Sequence, residues 1–179
     1  MIDLTQIIED CVDGKKQAQF ELYKLLLPKL MSVCIRYTRS KYEAEDYLQD
    51  SFIKIFSNIK DYKGTGPIEA WARKIAVNII LKEIQKKTPL KNSLELDEIQ
   101  DPADEKNDII SDLGHSELLS FINCLPASKK LIFNLYVIEG YTHKEISEQL
   151  KISEGTSKSQ LSRAKEMLVE IHKKHNSSL

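Results

Sequence analysis

No stretch of the 179-residue chain approaches the roughly 18 consecutive apolar residues of a membrane span. The opening residues, Met1-Ile2-Asp3-Leu4, lack the basic segment and apolar run of a secretory leader, so a cytoplasmic protein is expected. Cysteine is scarce. Cys11, Cys34 and Cys124 form an odd, scattered set, which argues against a disulfide framework and against a thiolate zinc site. Each reads as a small buried apolar side chain. No Gly-rich phosphate loop, nucleophile elbow or paired-carboxylate pocket appears. The histidines are scattered too, except for His172 and His175 in a lysine-rich tail that reads as solvated. These absences point away from an enzyme, a metal site and a cofactor.

Charge is plentiful but unevenly placed. The net charge of −1 hides three regions. Residues 1–87 carry 15 Lys and Arg against 12 Asp and Glu, net +3. Residues 88–112 carry 2 against 8, net −6, and residues 113–179 carry 9 against 7, net +2. The acidic middle holds Pro89 and Pro102 and few apolar neighbours, so it cannot bury enough surface to offset its ordering entropy. It reads as a linker, with at most a short helix near Leu94–Ile99, between domains at 1–87 and 113–179.

Both domains show helical rather than strand periodicity, so an all-α fold is expected. Leu4, Ile7, Ile8 and Cys11 recur at helical spacing. Lys16–Leu27 follows with Phe20, Tyr23 and Leu27 on one side, and Pro28 is expected to kink that helix or start another. Ala44, Tyr47, Leu48, Phe52, Ile55, Phe56 and Ile59 form the cleanest stripe. Gly64, Gly66 and Pro67 interrupt it, and Ile68, Trp71, Ala72, Ile75, Ala76 and Ile79 resume it, with Trp71 read as core. In the second domain a short helix ends near Leu125-Pro126, and the segment from Pro126 to Glu139 is read as one helix stopped by Gly140.

Residues 142–170 carry the sharpest pattern. Thr142 and Glu145 have capping-box spacing, and Lys151-Ile152-Ser153 joins a helix ending at Leu150 to one from Glu154. This is helix-turn-helix spacing, with Ile146, Leu150, Ile152 and Leu161 able to share a core. The second helix would then turn Lys158, Ser159, Gln160, Ser162, Arg163 and Lys165 outward, a hydroxyl, amide and cation set suited to a DNA major groove. In the first domain, Glu43, Glu45, Asp46 and Asp50 with Gln49 fit either an acid cluster favoured by the helix dipole or a face for a basic partner. The loop Tyr62-Lys63-Gly64 and the helical residues Arg73, Lys74 and Asn78 fit single-strand binding: cations for phosphates, an amide for a base edge, Tyr62 for stacking.

Taken in order, these motifs resemble the extracytoplasmic-function sigma factors of bacterial RNA polymerase. Ala44-Glu45-Asp46-Tyr47-Leu48-Gln49-Asp50-Ser51-Phe52 resembles that family's polymerase-docking segment, and Tyr62–Asn78 its promoter-melting segment. Leu125-Pro126, Glu139–Ile146, Ser153–Thr156, Ser159 and Ser162-Arg163-Ala164 resemble its promoter-binding domain. The resemblance implies a sigma region 2 bundle and a sigma region 4 helix-turn-helix, with core RNA polymerase, promoter DNA and an anti-sigma factor as partners. It implies that Asp46, Gln49, Asp50 and Phe52 contact the polymerase. It places Tyr62, Lys63, Gly64, Arg73, Lys74 and Asn78 at the −10 element. Lys158, Ser159, Gln160, Ser162 and Arg163 would read the −35 element. Departures are Ser157 in place of an apolar residue, Gln160 where arginine is frequent, Lys151 for a turn glycine and Ile68 for phenylalanine. Ser157 is expected to seat the recognition helix less tightly.

Overall fold

A computed structural model describes residues 4–38, 40–87 and 117–176, and every regular element among them is helical. The acidic segment, with its expected helix near Leu94–Ile99, lies outside the described residues. Contacts divide the chain into one unit at Met1–Lys82 and a second at Glu83–Leu179.

The first unit contains α1 (Leu4–Val12), α2 (Lys16–Tyr37), α3 (Lys41–Ser57), a 3-10 turn (Ile59–Asp61) and most of α4 (Ile68–Lys87). Pro28 lies inside a continuous α2 and does not start a new helix. A proline removes one backbone hydrogen bond, and the buried row Leu22, Leu26, Leu30 and Val33 runs straight through that turn. Burying each such side chain contributes about 1.5–3 kcal/mol, enough to hold the helix across the gap. Of the expected side Phe20, Tyr23 and Leu27, the last two are half-buried, whereas Phe20 is 54% exposed with the Lys24 ammonium 4.7 Å from its ring centre. Thr38 closes α2 by donating from Oγ1 to the Cys34 carbonyl at 3.0 Å, and Ser40 opens α3 by accepting from the Glu43 amide at 3.2 Å. Ala44, Tyr47, Leu48, Phe52, Ile55 and Ile59 are buried as their spacing predicts, while Phe56 is half-buried. A Lys29–Glu69 ion pair of 2.9 Å fastens α2 to the first turn of α4, and the Lys29 bond holds the Glu69 carboxyl below its ordinary range.

The second unit contains α5 (Glu117–Asn123), α6 (Ala127–Phe133), a π-helical turn (Asn134–Ile138), α7 (His143–Leu150) and α8 (Glu154–Asn176). α8 is its spine, packed by α5, α6 and α7. The single helix expected over 126–139 changes winding at Asn134: the Glu139 amide donates to the Asn134 carbonyl at 2.9 Å, a five-residue step. The extra residue shifts the register. Leu135 stays buried, whereas Tyr136 and Val137 turn outward. Gly140, at φ +77°, then stops the segment as expected. Cys11 and Cys34 are buried, and burial pushes the Cys34 thiol up to about 12. Cys124, contrary to expectation, is exposed.

Candidate nucleic-acid interface

α3 presents its polar face to solvent because its apolar stripe is fully used inside the unit. Asp46, Gln49 and Asp50 are exposed, as the sequence predicts. Phe52 is not on that face. It is 6% exposed, with its ring centre 4.5 Å from that of Tyr23 and 6.0 Å from that of Phe56. Its direct-contact assignment is therefore corrected to one of packing, which holds α3 against α2. Two residues that the sequence reading passed over share the acidic face: Tyr42, 83% exposed, and Ile53, 66% exposed. Positions 42, 46, 49, 50 and 53 are three or four apart and so line one side of the helix. Ile53 was legible as an apolar residue falling off the buried stripe.

The loop between the 3-10 turn and α4 folds back on itself. Tyr62 donates from its hydroxyl to the Gly66 carbonyl, and its ring lies 5.5 Å from that of Trp71. Tyr62 is half-buried, so it closes the loop rather than standing free as a stacking platform. Trp71, expected in the core, is half-buried beside it. Lys63 and Gly64 are exposed at the tip, where Gly64 takes the left-handed φ of +67° that a glycine adopts without strain. Along α4, Arg73 and Lys74 are exposed and Asn78 is half-buried, with Lys74 and Asn78 one turn apart.

In the second unit the helix-turn-helix is closed by the predicted caps. Thr142 and Glu145 complete a reciprocal capping box at α7. Lys151 ends that helix in the left-handed conformation, φ 56°, and Ser153 accepts from the Thr156 amide at 2.9 Å to open α8. Lys158, Ser159, Ser162, Arg163 and Lys165 face outward. Gln160 does not: it is 4% exposed, because at 100° per residue it falls with Ser157, Leu161 and Ala164 on the buried stripe. The Gln160 assignment is thus corrected to the inner face. Lys158 lies 3.7 Å from Glu154, and Ser162 donates to Glu166 at 3.0 Å. Both links are exposed and cheap to exchange for phosphate or base contacts.

Ser157, expected to loosen the helix, is fully buried and shares a 2.9 Å hydrogen bond with His143 Nδ1. The His143 ring stacks on Tyr136 at 4.3 Å. Partial burial, then the nearby Lys158 ammonium, holds the His143 pKa below its ordinary value. The two rings border an open groove of about 510 Å³ that also involves Tyr141, Lys144 and Lys158. At the far end of α8, His172 and His175 lie edge-on to Phe121, at 5.9 and 5.4 Å, tying the tail to the core. No helix among the described residues is long and apolar enough to cross a membrane.

A buried helical bundle with a polar-faced helix, followed by a capped helix-turn-helix, is the order of a sigma-70-type factor. Family models agree: Sigma-70 region 2 matches residues 22–89, and Sigma-70, region 4 matches residues 115–168. The chain is similar to the ECF RNA polymerase sigma factor SigE of Mycolicibacterium smegmatis, 27% identical over 162 residues, with 88% of this chain covered and 62% of that relative. It is 25% identical over 173 residues to the ECF RNA polymerase sigma-E factor of Haemophilus influenzae, covering 90% of this chain and 91% of the relative. Among solved structures, the sigma factor RpoE of Bartonella quintana, in complex with the anti-sigma factor NepR, aligns with a TM-score of 0.52 at 22% identity. That alignment covers 86% of this chain and 95% of RpoE, and it speaks to fold alone. The chain belongs to the extracytoplasmic-function sigma factors.

Proposed function

We propose that this chain docks on core RNA polymerase and directs it to promoters, with no catalytic site of its own. The acidic face of α3, through Asp46, Gln49 and Asp50 flanked by Tyr42 and Ile53, meets the polymerase. The Lys63–Gly64 loop tip with Arg73, Lys74 and Asn78 engages the −10 element and holds unstacked bases. Lys158, Ser159, Ser162 and Arg163 of α8 read the −35 element as duplex. Residues 1–87 and 113–179 are the two working domains and residues 88–112 the acidic strap. The observation that carries the reading is the exposed hydroxyl-and-cation face of α8 over a fully capped helix-turn-helix, in a chain of this family.

Each basic face is small, and the strap repels phosphate, so the free chain binds DNA weakly. Polymerase fixes the spacing of the two domains, and their affinities then combine through effective concentration. Captured bases offset an unstacking cost of a few kcal/mol each. An anti-sigma factor is the expected regulator, consistent with the RpoE relative being held by one.

Footprinting with and without core polymerase tests this directly. Protection of both promoter elements is expected only with core present. Equal protection by the chain alone makes it a polymerase-independent DNA-binding regulator instead. In the holoenzyme, Arg163→Ala should weaken −35 binding by about 1–3 kcal/mol.

A further inference from the structure

We propose that His143 is a positioning residue for the DNA-reading helix, acting through its hydrogen bond to buried Ser157. This rests on the promoter-reading role of α8 given above. His143 is the first residue of α7, directly after the Thr142 cap, so the capping box fixes the backbone from which its ring projects. One face of that ring lies on Tyr136 of the π-helical turn, 4.3 Å between centres and 23° between planes. Its Nδ1 lies 2.9 Å from Ser157 Oγ, and either group can donate. Three successive elements therefore meet at one imidazole.

Ser157 is 0% exposed and immediately precedes Lys158 and Ser159. Its neighbours on the inner stripe are Leu161 and Ala164, whose apolar contacts are non-directional, and the buried amide of Gln160. A hydrogen bond is directional and weakens steeply when misaligned. The rotation it opposes matters at the DNA. At a side-chain radius of about 5–6 Å, a turn of about 20° carries a tip by ~2 Å, the difference between a made and a lost base contact. Packing alone would be served as well by an apolar pair, since two matched apolar groups can replace a buried hydrogen bond at little cost. A directional polar link directly before the reading residues instead helps fix which way they point.

The test uses the full chain with core polymerase on templates randomised across the upstream element, with transcripts sequenced. Discrimination is the yield from the best upstream sequences over the median, and heat denaturation of each variant reports folding. His143→Leu strands the buried hydroxyl and should cut discrimination about tenfold, with smaller change in yield from median templates. Ser157→Ala should cut it a few-fold. His143→Asn, whose side-chain amide puts a polar atom where Nδ1 sits, should keep most of it. If His143→Leu fails to fold, the Ser157→Ala and His143→Asn chains decide by the same ratio. Full discrimination in folded His143→Leu, or in Ser157→Ala, overturns the inference alone. A yield loss equal on all templates, with discrimination unchanged, also overturns it by reducing the link to stability. Absence of chain-dependent transcripts with the wild type overturns the sigma reading itself, and the inference with it.

Discussion

The two units are built on different terms. The first buries long rows of aliphatic side chains along helices of up to 22 residues, and its buried hydroxyls, Thr38 and Ser51, donate locally to backbone carbonyls four residues back. The second is assembled from helices of seven or eight residues around one long spine, with a π-helical turn and buried Asn134, Ser157 and Gln160 inside it. Aliphatic packing tolerates small rotations, whereas buried polar groups require particular partners in particular places. The exposed faces of the first unit can thus be altered with little effect on its core. In the second, surface orientation and core chemistry are the same problem.

That contrast can be broken in four places. The largest effect is expected from Leu26→Ala, which empties a fully buried site in α2 and should cost about 2–5 kcal/mol in chemical denaturation of the full chain. A cost under 1 kcal/mol would mean that the first core is looser than described. Next, Asp50→Arg reverses an exposed charge that no buried contact uses, so stability should be unchanged while capture of core polymerase falls at least about tenfold. Pull-down at wild-type level would remove α3 from the docking surface. Third, Lys151→Gly relieves a left-handed non-glycine residue at the helix-turn-helix corner and should stabilise the chain by about 1 kcal/mol.

The smallest effect concerns acid. His143 is held below its ordinary value of 6.5, so the unfolded chain takes up the proton first as pH falls. Its contribution is complete above the unfolded pKa and is lost as pH drops through the folded one. Lys158 and Lys165 oppose the imidazolium and Glu154 favours it. Wild type should therefore lose stability relative to His143→Gln as pH falls below the ordinary histidine value, measured by urea denaturation of the two chains. Parallel curves would show that this histidine titrates as it does in the unfolded chain.

Much of this was legible from residue order. Helix positions, both caps of the helix-turn-helix and the α3 stripe follow from spacing, because local hydrogen bonds and the 3.6-residue period decide them. Two of the misreadings, Gln160 and Phe52, come from the choice of helix face. Gln160 looked like a reading residue because amides suit base edges, yet its angular position puts it beside Leu161 and Ala164. Phe52 sits in a docking motif but lies on the buried row. The single helix read over 126–139 changes winding at Asn134, which no apolar period announces. Tyr62 looked free because a loop hides the partner, Gly66, that it folds back upon. Pro28 offered the start of a new helix as one alternative, although the leucine row on either side outweighs one missing hydrogen bond.

The most direct measurement is transcription from linear promoter DNA by core polymerase with and without the purified chain, with start sites mapped. New start sites should appear only with the chain, and the paired substitutions Lys74→Ala and Asn78→Ala should abolish them while leaving polymerase capture intact. The same start sites with and without the chain would contradict the account.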